Sequence, residues 1–405
     1  MKNKIINWIT ADYKRLLFII ISVAILIIMP VMAKDAGMSG DEPFHFQQAE
    51  NVVNFYKTFG KDSAAIVTNN NTQGDNLYEY GQLPDNISYL VASTLNIDDI
   101  LSVRHFVNSI FGWLGILFAG LLAYRVSKNW LAAIITSLLL FLSPGFLGHS
   151  LNNLKDLPFA AIMLMGVYYI TCFYQTFPKP SKKACIMVAV SIGLALAIRV
   201  GGLLLIAYLG LFGLIFFMNE MIKIRKQTKN KKEKSQKFST LFLRLLIFGV
   251  VISLAGYIIG ILLWPYALVS PVKNVMATFA TMSQFGAALR QLFEGSLQWS
   301  DILPWYYTPK LIMMTIPTAV ITGIFLFLIF IWKDKKNYFY YFIIFFAFFF
   351  PVYWIVYTNA NVYGGWRHSL FTYPPMVVAA GLGFNLAIEW ITQKIMKKED
   401  IPENI

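Results

Sequence analysis

Long apolar runs constrain this sequence most, because runs close to twenty residues recur along all 405 residues. A helix of about twenty apolar residues crosses the hydrocarbon core of a bilayer, and it satisfies its own backbone hydrogen bonds there. The chain is 57% hydrophobic and 14% charged, which is more apolar side chain than one water-soluble domain can bury. We therefore predict an all-α fold, a polytopic transmembrane bundle of about ten spans. Their approximate bounds are 16–33, 105–126, 130–148, 157–177, 184–199, 201–219, 241–263, 310–332, 338–357 and 369–391.

Two places among these spans leave alternatives open. The fifth and sixth are separated only by Arg199-Val200-Gly201-Gly202, a junction typical of either a tight hairpin or one broken helix. The first follows basic residues and precedes Val31-Met32-Ala33, as in a signal peptide. Its apolar run is longer than the usual ~7–15 residues of a signal peptide, so we expect an uncleaved first span.

The distribution of basic residues predicts the orientation. With the N-terminus in the cytoplasm, most Lys and Arg face the cytoplasm, including the run from Lys223 to Lys237, as the positive-inside rule requires. We predict both termini inside, a transmembrane module over 1–392 and a cytoplasmic tail over 393–405. The expected location is a bacterial cytoplasmic or inner membrane.

Two of the outer loops are long in this topology: the first, about 34–104, and the fourth, about 264–309. Apolar residues from Phe44 to Phe59 recur at helical spacing in the first, and the stretch from Pro271 to Phe293 has a similar pattern. Such patterns favour helices that lie on the membrane surface. We therefore predict interfacial helices in the first and fourth outer loops.

The net charge of +13 does not indicate a nucleic-acid partner, because interleaved spans leave no continuous basic groove for a phosphate backbone. The two cysteines, Cys172 and Cys185, lack the spacing of a redox motif or a disulfide framework. No glycine-rich nucleotide-binding loop is present. Chemistry based on these features is not expected.

Candidate reactive groups converge on the outer face. They are three acids, four histidines and four cations, namely Asp41, Glu42, Asp156, His45, His105, His149, His368, Arg104, Lys155, Arg199 and Arg367. Acids, imidazoles and cations at one face of a bundle can form a reaction site.

Simpler roles compete with this interpretation. Asp41 and Asp156 each precede a proline by two residues, which is typical of a helix N-cap. Arg104 and His105 suit a membrane interface, and Arg199 and Arg367 suit snorkelling to headgroups.

A metal site is a further alternative. His45, His149 and His368 with a carboxylate are ordinary zinc ligands, yet the sequence has no compact motif such as HExxH. No cofactor is firmly implied, no metal ligands are assigned, and a divalent metal stays open.

Four motifs resemble one family. They are Gly40-Asp41-Glu42-Pro43, the stretch from Ser143-Pro144 to Asp156-Leu157-Pro158, Pro304-Trp305-Tyr306-Tyr307, and Gly365-Trp366-Arg367-His368. The chain is similar to the GT-C membrane glycosyltransferases, in particular glycosyltransferase family 39, with the protein O-mannosyltransferases and the lipid A aminoarabinose transferase. Many members continue into further spans or a soluble outer domain, a region that is expected to influence the choice of acceptor.

The resemblance implies a glycosyltransferase that moves a sugar from a polyprenyl-phosphate donor to a hydroxyl of a lipid, polysaccharide or protein. Asp41, Glu42 and Asp156 would be catalytic, with Asp41 as the base. The donor phosphate would be bound by Arg104, Lys155, Arg199, Arg367 and His368. The sugar or acceptor would contact His45, His149, Asn153, Trp305, Tyr306 and Tyr307.

A transporter or flippase of lipid-linked saccharides is the alternative from another class. Coupled transporters usually carry ionisable groups near the bilayer midplane. The charged residues assigned to spans here, Arg125, Arg199 and Glu389, lie close to the span ends, and this favours the transferase.

Overall fold

The computed structural model describes residues 13–67, 77–283 and 288–399. Within them the chain is almost entirely helical, as predicted. The α-helices are α1 (Tyr13–Ala33), α2 (Glu42–Lys57), α3 (Leu83–Leu95), α4 (Ile100–Ser127), α5 (Trp130–Phe141), α6 (Pro144–Asn152), α7 (Asp156–Thr176), α8 (Lys182–Leu196), α9 (Leu203–Gln227), α10 (Lys231–Leu262), α11 (Pro265–Val269), α12 (Lys273–Ser283), α13 (Tyr307–Thr315), α14 (Thr318–Phe330), α15 (Tyr338–Tyr357) and α16 (Tyr373–Glu399). Six short 3₁₀ turns connect them, at Ala64–Ile66, Leu77–Glu79, Val200–Gly202, Ile331–Lys333, Lys335–Asn337 and Arg367–Thr372.

The predicted spans coincide with these helices. Among the described residues seven helices are long and apolar enough to cross a membrane, or up to nine if two bent pairs each form one span. The bent pairs are α5 with α6, at 67°, and α13 with the helix after it, at 110°. The remaining predicted span corresponds to α8, which has 15 residues. The prediction of about ten spans is therefore roughly confirmed.

Helix α7 is the centre of the bundle. In its apolar window 89% of the residues are buried, compared with 22% for α1 and for α10. It packs against α4, α8 and the 3₁₀ turn Arg367–Thr372. The first residue of α7, Asp156, is thus held at one end of the most enclosed helix.

Close helix packing relies on small residues. A Cβ on Gly383 of α16 would lie 2.1 Å from the carbonyl oxygen of Gly323 on α14. This approach allows the two backbones to touch, as small residues commonly do between membrane helices. It fixes α16, and with it the turn Arg367–Thr372 that begins next to the candidate site.

The two long segments between predicted spans confirm one predicted helix and correct another. The pattern from Phe44 to Phe59 forms α2. The stretch from Pro271 is helical only over α12, and Arg290–Phe293 instead pairs with Ser296–Trp299 in an antiparallel hairpin, β1 and β2. Glu294 and Gly295 at its tip have positive φ, a two-residue turn that suits a hairpin.

The boundaries at 199–202 and 392 differ in detail from the prediction. The helix is interrupted after Leu196, and Val200–Gly202 forms a 3₁₀ turn before α9. Helix α16 continues past 392 to Glu399. The rest of the predicted tail, 400–405, lies outside the described residues.

Candidate active site

Asp41 is the most accessible of the three predicted acids. It occupies the N-cap position of α2, yet its side chain makes no capping hydrogen bond. The side chain is 54% exposed, and its Oδ2 lies 3.3 Å from Nη1 of Arg367. The capping interpretation is therefore wrong for Asp41, and the carboxylate faces an arginine from a distant part of the chain.

Glu42, the next residue, lies inside the protein. Its Oε1 is 2.9 Å from Nε2 of His105 and 3.8 Å from Nε of Arg104. Its Oε2 accepts a hydrogen bond from the amide of Ser39 at 2.5 Å. Glu42 is 2% exposed, so its carboxylate is closed off from solvent.

Two further residues complete this inner cluster, which consists of Glu42, His45, Asp85, Arg104 and His105. Nη2 of Arg104 is 2.5 Å from Oδ1 of Asp85, and Nδ1 of His45 is 3.5 Å from Oδ2 of Asp85. All five side chains are buried. The inner cluster joins α2, α3 and α4, and the interpretation of Arg104 and His105 as interfacial residues is wrong.

Asp156 begins a second, outer cluster, which consists of Tyr80, His149, Asn153, Lys155, Asp156, Arg199 and His368. Nη2 of Arg199 is 2.5 Å from Oδ1 of Asp156. The side-chain oxygen of Asn153 accepts the Asp156 backbone N–H at 2.9 Å, and its amide donates to Oδ2 at 3.1 Å. Asn153, and not Asp156, therefore supplies the capping bond of α7, and it also fixes the Asp156 carboxylate.

The other members surround this ion pair. Nζ of Lys155 lies 3.8 Å from the centre of the Tyr80 ring, and the Arg199 guanidinium is 6.0 Å from that same ring. His149 contacts Asn153 at 3.1 Å. His368 lies within electrostatic range of Asp156 and Arg199. The outer cluster thus combines one carboxylate with two cations on an aromatic surface.

A cavity of about 240 Å³ adjoins the outer cluster. Its lining includes His149, Thr315, Gly364, Trp366, Arg367 and Tyr373. The Trp366 indole donates to the Thr315 hydroxyl at 2.8 Å, and the hydroxyls of Ser143 and Tyr373 lie 2.6 Å apart. Arg367, which faces Asp41, therefore also borders a cavity with a largely apolar wall.

The turn before Arg367 requires glycine. Gly364 and Gly365 have φ of +64° and +72°, a conformation that L side chains rarely adopt. A Cβ on Gly364 would lie 3.0 Å from Nε of Arg367, whereas one on Gly365 would meet nothing within 4 Å. The Gly364 amide also donates to Oε1 of Gln291 on β1 at 2.8 Å. The hairpin therefore supports the segment that positions Arg367.

The predicted aromatic motif lies beside the cavity lining. Trp305 is 66% exposed, whereas Tyr307 is buried against Phe293 with ring centres 4.9 Å apart. The Tyr306 hydroxyl lies 3.4 Å from Oε2 of Glu294. None of the three lines the described cavity.

The zinc alternative is not supported by the arrangement of the histidines. His45 faces Asp85, His149 faces Asn153, and His368 packs against Tyr363 with ring centres 4.5 Å apart. In residues 13–67, 77–283 and 288–399 no group of three or more His, Cys, Asp or Glu side chains has a geometry that would hold a metal ion.

Sequence reasoning missed three residues that contribute to the candidate site or support it: Tyr80, Asp85 and Gln291. Each lies in one of the two long segments between predicted spans, without a recognisable motif around it. Gly81 offers a retrospective signal, because a Cβ there would lie 1.8 Å from the carbonyl oxygen of Ala197. That close approach brings Tyr80 to Arg199.

Comparisons with known proteins agree with this architecture. Residues 79–264 match the family model "Dolichyl-phosphate-mannose-protein mannosyltransferase". No curated protein sequence matches the chain.

Three solved structures are similar in fold. ArnT from Cupriavidus metallidurans bound to undecaprenyl phosphate has a TM-score of 0.58 at 15% identity, over 93% of this chain and 60% of that one. The oligosaccharyltransferase AglB from Archaeoglobus fulgidus, in complex with an inhibitory peptide and a dolichol-phosphate, has a TM-score of 0.55 at 11% identity, over 95% and 52%. The apo form of the Archaeoglobus fulgidus oligosaccharyltransferase has a TM-score of 0.58 at 13% identity, over 98% and 53%.

This chain therefore spans about half to three-fifths of the length of those structures. Its apolar helices and these similarities identify an integral membrane protein. The chain has the fold of the GT-C membrane glycosyltransferases, and the resemblance inferred from its sequence is confirmed.

Proposed function

We propose that this protein is a glycosyltransferase that uses a polyprenyl-phosphate sugar at the outer face of the membrane. The observation that carries the proposal is the pair of Asp41 and Arg367, an accessible carboxylate 3.3 Å from an arginine that borders a cavity. The match to a mannosyltransferase family model and the lipid phosphates named for ArnT and AglB support the same activity. The acceptor is a hydroxyl of a lipid, polysaccharide or protein.

The reaction needs a base, and Asp41 is our candidate. In the transfer, the acceptor oxygen forms a bond to the anomeric carbon, the bond from that carbon to the phosphate oxygen breaks, and the acceptor proton moves to Asp41. A positioned base contributes roughly 10²–10⁴ in rate to such a step. The exposure of Asp41 supports this assignment, whereas the burial of Glu42 at 2% argues for a positioning role there.

The departing lipid phosphate needs cations. Fixed positive charges stabilise the charge that develops on a leaving phosphate, and we assign this role to Arg199, Arg367 and Lys155. Arg199 is held by Asp156 at 2.5 Å, so Asp156 orients a cation instead of acting as the base. Arg104 is already paired within the inner cluster, which argues against its predicted contact with the phosphate.

His149 and His368 suit contacts with the sugar or the phosphate oxygens. Both are neighbours of Asp156 and Arg367, and imidazole nitrogens can donate to or accept from sugar hydroxyls. The cavity beside Arg367, with its largely apolar wall, would then accommodate the donor. We place Asn153 as a support for Asp156, since both its amide atoms are used there.

The test is transfer of labelled sugar from a polyprenyl-phosphate donor in proteoliposomes, with membrane extract as the acceptor source and identification of the product. Asp41→Asn should lower the transfer rate by about 10²-fold or more, with unchanged insertion. Asp98→Asn, the same change at an exposed loop residue, is the matched control. Near-normal transfer by the Asp41 variant would remove it from the base role, and saccharide movement across sealed vesicles without a new glycosidic bond would favour a transporter.

A further inference from the structure

A second, larger cavity lies at the opposite end of the bundle from the candidate active site. It is an open groove of about 670 Å³ between the ends of α7, α9, α10 and α15. Tyr174, Phe177 and Phe216 supply apolar wall, and Lys223, Lys237 and Arg244 supply positive charge. We call it the basic groove, because it adjoins the lysine-rich turn between α9 and α10.

The charges in the basic groove do not balance. Nζ of Lys223 is 2.6 Å from Oε1 of Glu220, and Nζ of Lys237 is 2.7 Å from Oε1 of Glu233. Both acidic side chains of the groove are therefore already paired with lysines of their own helices. Arg244 is exposed and makes no salt bridge with any acid in the described parts of the chain. The groove thus presents one guanidinium without a protein counter-ion.

The position of Arg244 along α10 gives its depth. The residues that follow, 245–262, are uncharged, and 18 helical residues extend about 27 Å. The hydrocarbon core of a bilayer is about 30 Å thick. Phe242 and Leu246 on either side are about half exposed. Arg244 therefore lies at the boundary of the hydrocarbon, at the level where lipid phosphates are found.

We propose that the basic groove binds an anionic phospholipid of the leaflet that faces the basic end of the protein. The lipid phosphate pairs with Arg244, whose planar guanidinium can bind two phosphate oxygens. The first part of an acyl chain lies against the aromatic wall of Phe177 and Phe216. A lipid fits better than free phosphate because the same groove offers an apolar wall to a chain.

Lipid retention measured by native mass spectrometry tests this proposal. Purified protein in detergent is mixed with phosphatidylglycerol and phosphatidylcholine that carry identical acyl chains. Wild type should retain phosphatidylglycerol about tenfold better, equivalent to ~1.4 kcal/mol, and Arg244→Gln should remove this preference. Arg225→Gln is the matched control, since Arg225 is an exposed arginine of α9 that does not line the groove.

Other outcomes overturn the proposal. Equal retention of the two lipids by the wild-type protein would overturn it without any variant. An equal loss of preference in both arginine variants would also overturn it. Displacement of the lipid by millimolar inorganic phosphate would assign the groove to a soluble phosphate. If Arg244→Gln does not elute as folded protein, Arg244→Lys replaces it, with a partial loss of preference expected because the bidentate contact is lost.

Discussion

Replacing Asp85 with alanine should strongly destabilise the protein, because it removes the closest counter-ion of Arg104. The two side chains are 3% and 1% exposed, and Nη2 lies 2.5 Å from Oδ1. With an effective dielectric constant near 20, the Coulomb attraction at that distance is about 7 kcal/mol. Desolvation offsets much of it, and breaking a buried pair costs about 3–5 kcal/mol. Glu42, 3.8 Å from Arg104, retains partial compensation, so we expect ~3 kcal/mol.

A double-mutant cycle separates the pair from its surroundings. Asp85→Ala, Arg104→Met and the double variant are unfolded with sodium dodecyl sulfate in mixed micelles, and Asp98→Ala serves as an exposed control. The double variant should be less destabilised than either single one, because neither member of the pair is left buried without the other.

The same cycle decides between two roles for Arg104. A structural role predicts a loss of unfolding free energy that does not depend on the donor lipid. If instead Arg104→Met unfolds within about 0.5 kcal/mol of wild type, as expected for a site without such a pair, and its KM for the donor rises, the reasoning is refuted and Arg104 binds phosphate.

Two further predictions concern a turn and a helix end. Gly364→Ala should raise the KM for the donor more than Gly365→Ala does. Each variant adds about 1 kcal/mol of left-handed strain, but only Gly364→Ala places a Cβ 3.0 Å from Arg367. Equal KM values for the two variants would contradict this. Asp99 is the N-cap of α4, and its side chain accepts a hydrogen bond from the Ser102 backbone amide. Hydrogen bonds from Ser102 lower the pKa of Asp99. The capping contribution of Asp99 to α4 is therefore present above its unfolded pKa and lost as pH falls through the lowered value. The difference in melting temperature between wild type and Asp99→Ala should consequently shrink between pH 6 and pH 3. A constant difference would argue against this contribution.

Apolar periodicity predicted the helices well because each one reflects a local pattern. Apolar runs such as 338–357 and the helical spacing from Phe44 to Phe59 determine which residues can be helical without reference to any distant partner. The pattern after Pro271 failed for a physical reason. Residues Arg290–Phe293 form the strand β1 because they pair with β2. The pattern of a single segment contains no information about that pairing.

The candidate site was less accessible to sequence reasoning, because its partners are far apart in the chain. Nothing near Arg104 indicated Asp85, and nothing near Lys155 indicated Tyr80. Both partners come from the chain segment before α4, which is positioned by the close approach of Gly81 to Ala197. The residue types could be identified from the predicted topology, whereas their pairing required the three-dimensional structure.

The adjacent acids Asp41 and Glu42 have different partners, Arg367 and His105, and therefore different predicted roles. The start of α2 separates them, because Asp41 occupies the N-cap and Glu42 is the first helical residue. One carboxylate is 54% exposed and the other is 2% exposed, and neighbouring residues in a helix point about 100° apart. Glu42, bound to His105, thus anchors the end of α2 that presents Asp41 to Arg367. Glu42→Gln keeps the size of the side chain and removes its charge, so it should lower the transfer rate by displacing Asp41. This effect should be absent when Asp41 has already been replaced with asparagine.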